Sequence, residues 1–207
     1  MIVIDFSQIS ALGMMEDPRF LWCFGDLARR LSDDSEIEAT CIHEAAHVIY
    51  LEELGITTFQ YHNPRVIYDA HERQCAIEMA AISADIPLIT ATTPMEKSAL
   101  LILVSKYFAA GGAALLKLTA KKDPGDTKDF QDFQERLKIL GPKKFNESPA
   151  FALHMWEKAK DTVTKEIEDE ACGIKMRIQN KAKEIKPSLF RDVPRIALLS
   201  DDPRAFS

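Results

Sequence analysis

The chain has 207 residues, 46% apolar and 28% charged, a mix that describes a folded, water-soluble protein rather than a disordered one. At this length roughly 70% of the unfolded surface can be buried, so one domain over residues 1–207 needs no disulfide staples. Lys and Arg number 26 against 32 Asp and Glu, for a net charge of −6, which argues against a general nucleic-acid binder.

The charge is uneven: residues 1–118 carry 8 basic and 16 acidic groups, residues 119–207 carry 18 and 16. Apolar runs such as Leu100–Val104 fall far short of the roughly 20 residues of a membrane span, so none is expected. Met1-Ile2-Val3-Ile4-Asp5-Phe6 has neither the basic start nor the long apolar stretch of a secretory signal. Cys23, Cys41, Cys75 and Cys172 are scattered without a Cys-x-x-Cys pair, and a reduced, cytoplasmic protein is the expectation.

Residues 17–32 read as a helix with Phe20, Leu21, Phe24, Leu27, Ala28 and Leu31 on one side. A second helix starts near Asp33-Asp34-Ser35, good capping chemistry with acids in the first turn, and stops at Gly55. Its apolar stripe comprises Ile37, Cys41, Ile42, Ala45, Val48, Ile49 and Leu54. From Ile56 the composition turns β-branched and aromatic. Residues 56–62, Val66–Tyr68 and Gln74–Ile82 are short strand candidates, the last of them also compatible with a helix.

Thr93-Pro94-Met95-Glu96 announces the next helix: Thr93 caps, Pro94 takes the first helical position and Glu96 closes a capping box. This helix should run to about Leu118 and carries the small-residue patch Ala109–Ala114 with Gly111 and Gly112 inside it. Each glycine costs about 1 kcal/mol against alanine in a helix, so such a patch implies close approach of another element. After a polar loop, Asp126 can cap a helix through Leu140. A last long helix is expected over Pro149–Lys186, ended by Pro187, with an extended tail carrying Pro194 and Pro203. The sum is an α+β fold, predominantly α-helical, with a small β-sheet next to the second helix. Residues 1–35 form an N-terminal helical segment, 36–140 the core, and 141–207 the C-terminal helix and tail.

The informative motif is His43-Glu44-Ala45-Ala46-His47, His-Glu-x-x-His inside a helix that periodicity alone predicts. Residues four apart are neighbours on a helix face, so His43 and His47 can reach one zinc ion. Glu44 lies one position round, where it can take a proton from a water activated at the metal. Without a metal the two histidines would have to be satisfied by hydrogen bonds. Yet apolar residues flank the motif and its spacers are small, and burying these groups without a partner costs several kcal/mol.

The third ligand is less legible. A metzincin continuation would need Gly at position 50 and His at 53, where this chain has Tyr50 and Glu53, so that arrangement is excluded. Glu72 and Glu78 are poor substitutes for a helical glutamate, and His62 and His71 suit strands or loops. Asp126 or Asp129, at the start of a later helix, remains. Cys41, Met155 and Trp156 read as core, His154 as a capping or packing residue, and Glu157–Glu170 as a solvated charged face.

With these motifs in place the chain resembles the peptidase domain of the FtsH-type ATP-dependent zinc metalloproteases, over roughly residues 35–140. The family's zinc helix reads His-Glu-Ala-Gly-His. Its helix with Ala-Gly-Arg-Ala-Ala-Glu-Glu is matched in part by Ala110-Gly111-Gly112-Ala113-Ala114-Leu115-Leu116. Its Gly-x-x-[Asn/Ser]-Asp-Leu segment corresponds to Gly125-Asp126-Thr127-Lys128-Asp129-Phe130. The resemblance implies Asp129 as third zinc ligand beside His43 and His47, Glu44 as catalytic base, and peptides or unfolded proteins as substrates.

The departures are equally specific. There is no Gly-x-x-x-x-Gly-Lys-[Ser/Thr], no membrane anchor is expected, and Gly112, Leu115 and Leu116 stand in place of Arg and two Glu. The resemblance thus implies a stand-alone zinc metallopeptidase, a homo-oligomer or a separate ATPase being its possible partners. The alternative is a non-catalytic or regulatory binding module that retains the zinc site. An extended peptide is expected to dock as an added strand near residues 73–82.

Overall fold

A computed structural model describes residues 2–4, 16–69, 74–84, 93–121, 126–140, 149–191 and 195–198. Along the chain these form β1 (Ile2–Ile4), α1 (Pro18–Leu31), α2 (Asp34–Glu53), β2 (Gln60–His62), β3 (Arg65–Asp69), β4 (Gln74–Glu78) and β5 (Ala81–Ser83). There follow α3 (Pro94–Thr119), α4 (Asp126–Leu140), α5 (Pro149–Glu168), α6 (Ile174–Leu189) and β6 (Arg195–Leu198). The class is α+β, mainly helical. The chain divides into two compact units, one of residues 1–40, 61–83 and 186–207, the other of 41–60 and 84–185.

The first unit is built on a four-stranded sheet in the order β1-β6-β3-β4. β6 is antiparallel to β1 and parallel to β3, and β3 is antiparallel to β4 with Ile67 opposite Ala76. The tail expected to lie extended therefore supplies an inner strand, and the Ile-Val-Ile start of the chain is a strand as well. The β1–β6 pairing joins opposite ends of the sequence and the β3–β6 pairing spans about 130 residues, which no local pattern reports. β4 is an edge strand, and β2 and β5 pair separately. Helix α1 packs on β3 and β4, capped by Asp17, whose carboxylate accepts the Arg19 N–H at 2.9 Å. It buries Phe20, Cys23 and Leu27, while Leu21 and Ala28 face solvent. The buried stripe is rotated from the expected one because Cys23, at the i, i+3, i+7 spacing with Phe20 and Leu27, takes the inward position.

The second unit is helical. α2 ends as expected at Gly55, whose φ of 77° is open to glycine without strain. Every residue from Cys41 to Leu51 is buried, so the motif helix is covered all round where it crosses this unit. α3 carries the expected capping box: Thr93 Oγ1 accepts the Glu96 N–H at 3.2 Å and Glu96 Oε2 accepts the Thr93 N–H at 2.9 Å. By length and composition its segment Met95–Thr119 is apolar enough to cross a membrane, and every residue from Phe108 to Leu115 is buried within the fold.

α3, α4 and α5 close around Phe108, Phe133, Leu137 and Trp156. The Phe130 and Trp156 rings meet edge to face at 5.3 Å, and Phe133 lies 5.8 Å from Trp156. Met155 packs at the edge of this cluster, whereas His154 is exposed rather than packed.

The single long C-terminal helix expected from composition is two helices. Asp169 accepts the Ala171 N–H at 3.0 Å, starting a 3-10 turn over Glu170–Cys172, and Gly173 at φ 64° reverses the chain before α6. Pro187 does not end α6, which runs to Leu189; in the last turn the N–H a proline lacks is a minor loss.

Phe133 sits one turn beyond Asp129 and fixes α4 to α3 and α5. Phe133→Ala should lower unfolding free energy by about 3–5 kcal/mol, read from the denaturant midpoint at constant slope.

Candidate metal centre

Three ligand atoms converge in the second unit. On α2, His43 and His47 lie one turn apart with their Nε2 atoms 2.9 Å from each other and their rings edge to face, centroids 4.6 Å apart. From the first turn of α4, Asp129 brings Oδ2 to 3.3 Å from His43 Nε2 and 3.4 Å from His47 Nε2. That position also places the carboxylate where a helix macrodipole favours negative charge. Among the described residues no other cluster of His, Cys, Asp and Glu assembles ligand atoms in this way.

The donor set passes a geometric test. A tetrahedral ion with bonds of about 2.0–2.1 Å to nitrogen and oxygen separates its ligand atoms by about 3.3 Å. The Asp129 edges of the triangle match that spacing, and the His–His edge is a few tenths of an ångström short of it. Asp129 Oδ2 is buried and makes no hydrogen bond of normal geometry, facing only the two imidazole nitrogens. A lone-pair oxygen held dry between two ring nitrogens is stable when a positive charge lies among them.

Helix α3 makes this arrangement possible in two ways. The His47 Nδ1 lies 2.7 Å from the carbonyl oxygen of Tyr107. A carbonyl only accepts, so Nδ1–H donates, which turns Nε2 toward the ligand cluster and fixes the ring's rotation. The Tyr107 ring stands edge to face against the same imidazole at 5.2 Å. At Gly111, a Cβ would fall 2.6 Å from both His43 Nδ1 and Nε2, closer than non-bonded atoms approach. The His43 ring thus lies directly on the α3 backbone, and the small-residue patch has its physical explanation.

Glu44 is 7% exposed, His43 9% and His47 5%. The carboxylate of Glu44 comes no closer than 3.8 Å to His43 Nε2 and is not one of the three converging ligands. It flanks them. Burial alone would raise the Asp129 carboxyl, but the His47 charge and the close approach of both imidazoles outweigh it and hold the group well below the carboxylate range. Burial likewise opposes a charge on His47, and Asp129 overcomes it, so that imidazole holds its proton above the ordinary value.

Of the other candidates, Asp126 is the first residue of α4, with its side chain outside the described residues. His71 and Glu72 also lie outside them. Glu78 is paired with Arg65 and His62 with the Ser83 hydroxyl, the latter at 2.8 Å. Cys41 is buried and, among the described residues, joins no metal-ligand group. Tyr107 could not have been read from the sequence, because its contribution to His47 is a backbone carbonyl. Gly111 was visible as a patch but not as the seat of His43.

Comparison of the chain with protein-family models, with curated proteins and with solved structures finds no match.

Gly111→Ala should displace the His43 ring and weaken zinc binding at least about tenfold without loss of helical circular dichroism; chelator competition reads this directly. The stability of the metal-free protein and the increment that zinc adds should depend on pH with opposite signs. Without metal, Asp129 contributes stability above its unfolded pKa of 3.8 and His47 contributes below 6.5, so the metal-free protein should be most stable between those values. Raising the pH through the elevated His47 pKa should lower its Tm, while the Tm increment from added zinc grows because the metal no longer competes with that proton. Paired melts at pH 5.5 and pH 8 test both signs.

Proposed function

We propose that this protein is a zinc-dependent metallopeptidase that hydrolyses peptide bonds in extended or unfolded polypeptides. The single observation that carries the reading is the meeting of His43 and His47 from one helix with Asp129 from another at ligand spacing, with Glu44 beside them. The resemblance of the three sequence segments to FtsH-type peptidases supports the same reading.

His43, His47 and Asp129 would hold the ion. When bound, zinc acidifies water and stabilises negative charge developing on a carbonyl oxygen. The chain's own residues do the rest. Glu44, buried and tied into the helix by its backbone, receives a proton from the attacking water and returns it to the departing amine, which keeps both proton transfers on one carboxylate. Tyr107, through its carbonyl, holds the imidazole of His47 in the ligating tautomer. Gly111 leaves the space that seats His43. The low-dielectric surroundings of α2 strengthen each of these interactions relative to water.

One zinc per chain is expected by elemental analysis, lost in His43→Ala and in Asp129→Ala. Glu44→Gln should retain the metal and lose turnover of an unfolded-protein substrate by about 10²–10⁴-fold. A protein that takes up no zinc on reconstitution overturns the proposal. Zinc bound with no Glu44-dependent turnover would instead identify a binding module that keeps the site.

A further inference from the structure

Tyr50, three residues after His47 on α2, is 1% exposed and carries a hydroxyl that must be satisfied. It donates to Glu166 Oε2 of α5 at 2.7 Å. The other oxygen of the same carboxylate, Oε1, accepts from Lys106 Nζ of α3 at 2.5 Å. The Lys106 ammonium also stands 5.9 Å from the centroid of the Tyr50 ring. One glutamate thus grips a side chain from each of the two helices on which the metal site depends.

The placement along those helices is specific. Lys106 immediately precedes Tyr107, whose carbonyl holds His47 Nδ1 at 2.7 Å. His43, His47 and Tyr50 follow at i, i+4 and i+7, one face of α2. The hydrogen bond that orients His47 and the two bonds to Glu166 therefore join the same neighbouring turns of α2 and α3. A shift of one helix along the other by even half an ångström would lengthen the His47 bond and misdirect its Nε2, because a site of this kind tolerates displacements of only about 0.5 Å.

We propose that Glu166 is a positioning residue for the metal centre, setting the register of α2 on α3 through Tyr50 and Lys106 so that His47 Nε2 points at Asp129 and His43. This rests on the reading of His43, His47 and Asp129 as a zinc site. Glu166 and Tyr50 touch none of the three ligands' converging atoms and act only through helix placement. The Glu166 carboxylate is matched by the Lys106 charge, so the grip persists at the half-buried helix junction where an isolated charge would draw in water.

The test compares Tyr50→Phe, which removes one oxygen and keeps the ring, and Glu166→Gln, which keeps the volume and removes the charge, with wild type. Zinc affinity is measured by chelator competition, and the visible absorption of the Co²⁺-substituted protein reports ligand geometry. A core variant on α5, Val163→Ala, controls for general loss of stability. Expected are zinc affinities reduced about tenfold in both variants and altered cobalt bands, with Val163→Ala matching wild type in both readings despite a lower Tm. Wild-type zinc affinity and cobalt bands in Tyr50→Phe and Glu166→Gln would overturn the positioning role and leave the zinc site standing. Failure of the wild-type protein itself to bind either ion would overturn both.

Discussion

Four ionisable side chains, His43, Glu44, His47 and Asp129, are withdrawn from water within a few ångströms of each other. Nothing about apolar packing favours this: two carboxylates and two imidazoles in a low-dielectric interior are costly unless a positive charge compensates them. A proton on His47, stabilised by Asp129, provides a partial answer, which is why one group titrates high and the other low. A divalent cation at the centre of the triangle provides a fuller one, since it satisfies both nitrogens and the oxygen at once. The remaining architecture of the helical unit can be understood as the means of holding these groups where that compensation is possible.

Helix α3 is the base plate. Its middle has no side chain at Gly111, so the backbone itself is the surface on which His43 lies. One helical turn and a fraction earlier, the Tyr107 carbonyl accepts a hydrogen bond from His47 Nδ1–H. Along the same helix, Leu100, Leu101, Val104 and Phe108 enter the aromatic cluster with Phe133 and Trp156. Two glycines weaken a helix by about 2 kcal/mol on propensity alone. Length, the capping box at Thr93 and burial on several sides offset that loss, so a locally poor helical sequence forms a long helix where the imidazole needs space. The same cluster reaches α4 through Phe130 and Phe133, so aromatic packing helps place Asp129.

The parts legible in the sequence were those set by local rules. Four-residue spacing puts His43 and His47 on one face wherever the helix goes. Thr93, Pro94 and Glu96 start α3 by chemistry confined to one turn, and Gly55 ends α2 for the same reason. Asp129 and Asp126 could not be separated by local pattern, since both are first-turn acids; only the resemblance favoured Asp129, and the converging atoms are those of Asp129. Elements built by distant partners stayed hidden. β6 owes its strand conformation to β1 and β3, some 190 and 130 residues away in sequence. The α5–α6 break lay inside a charged stretch that reads as continuous helix, and only Asp169 capping a short turn and Gly173 adopting positive φ interrupt it.

The two carboxylates at the centre show how placement, not residue type, divides the labour. Asp129 is short and comes from the end of another helix, so its oxygen reaches the midpoint between two nitrogens and its charge is neutralised there. Glu44 comes from the motif helix itself, one residue after His43, and the roughly 100° turn per residue swings it away from that midpoint to 3.8 Å from the nearer nitrogen. A group so placed is near enough to feel the positive charge that the triangle would hold and is not consumed in holding it. Helix geometry therefore places both carboxylates, Asp129 among the nitrogens and Glu44 beside them.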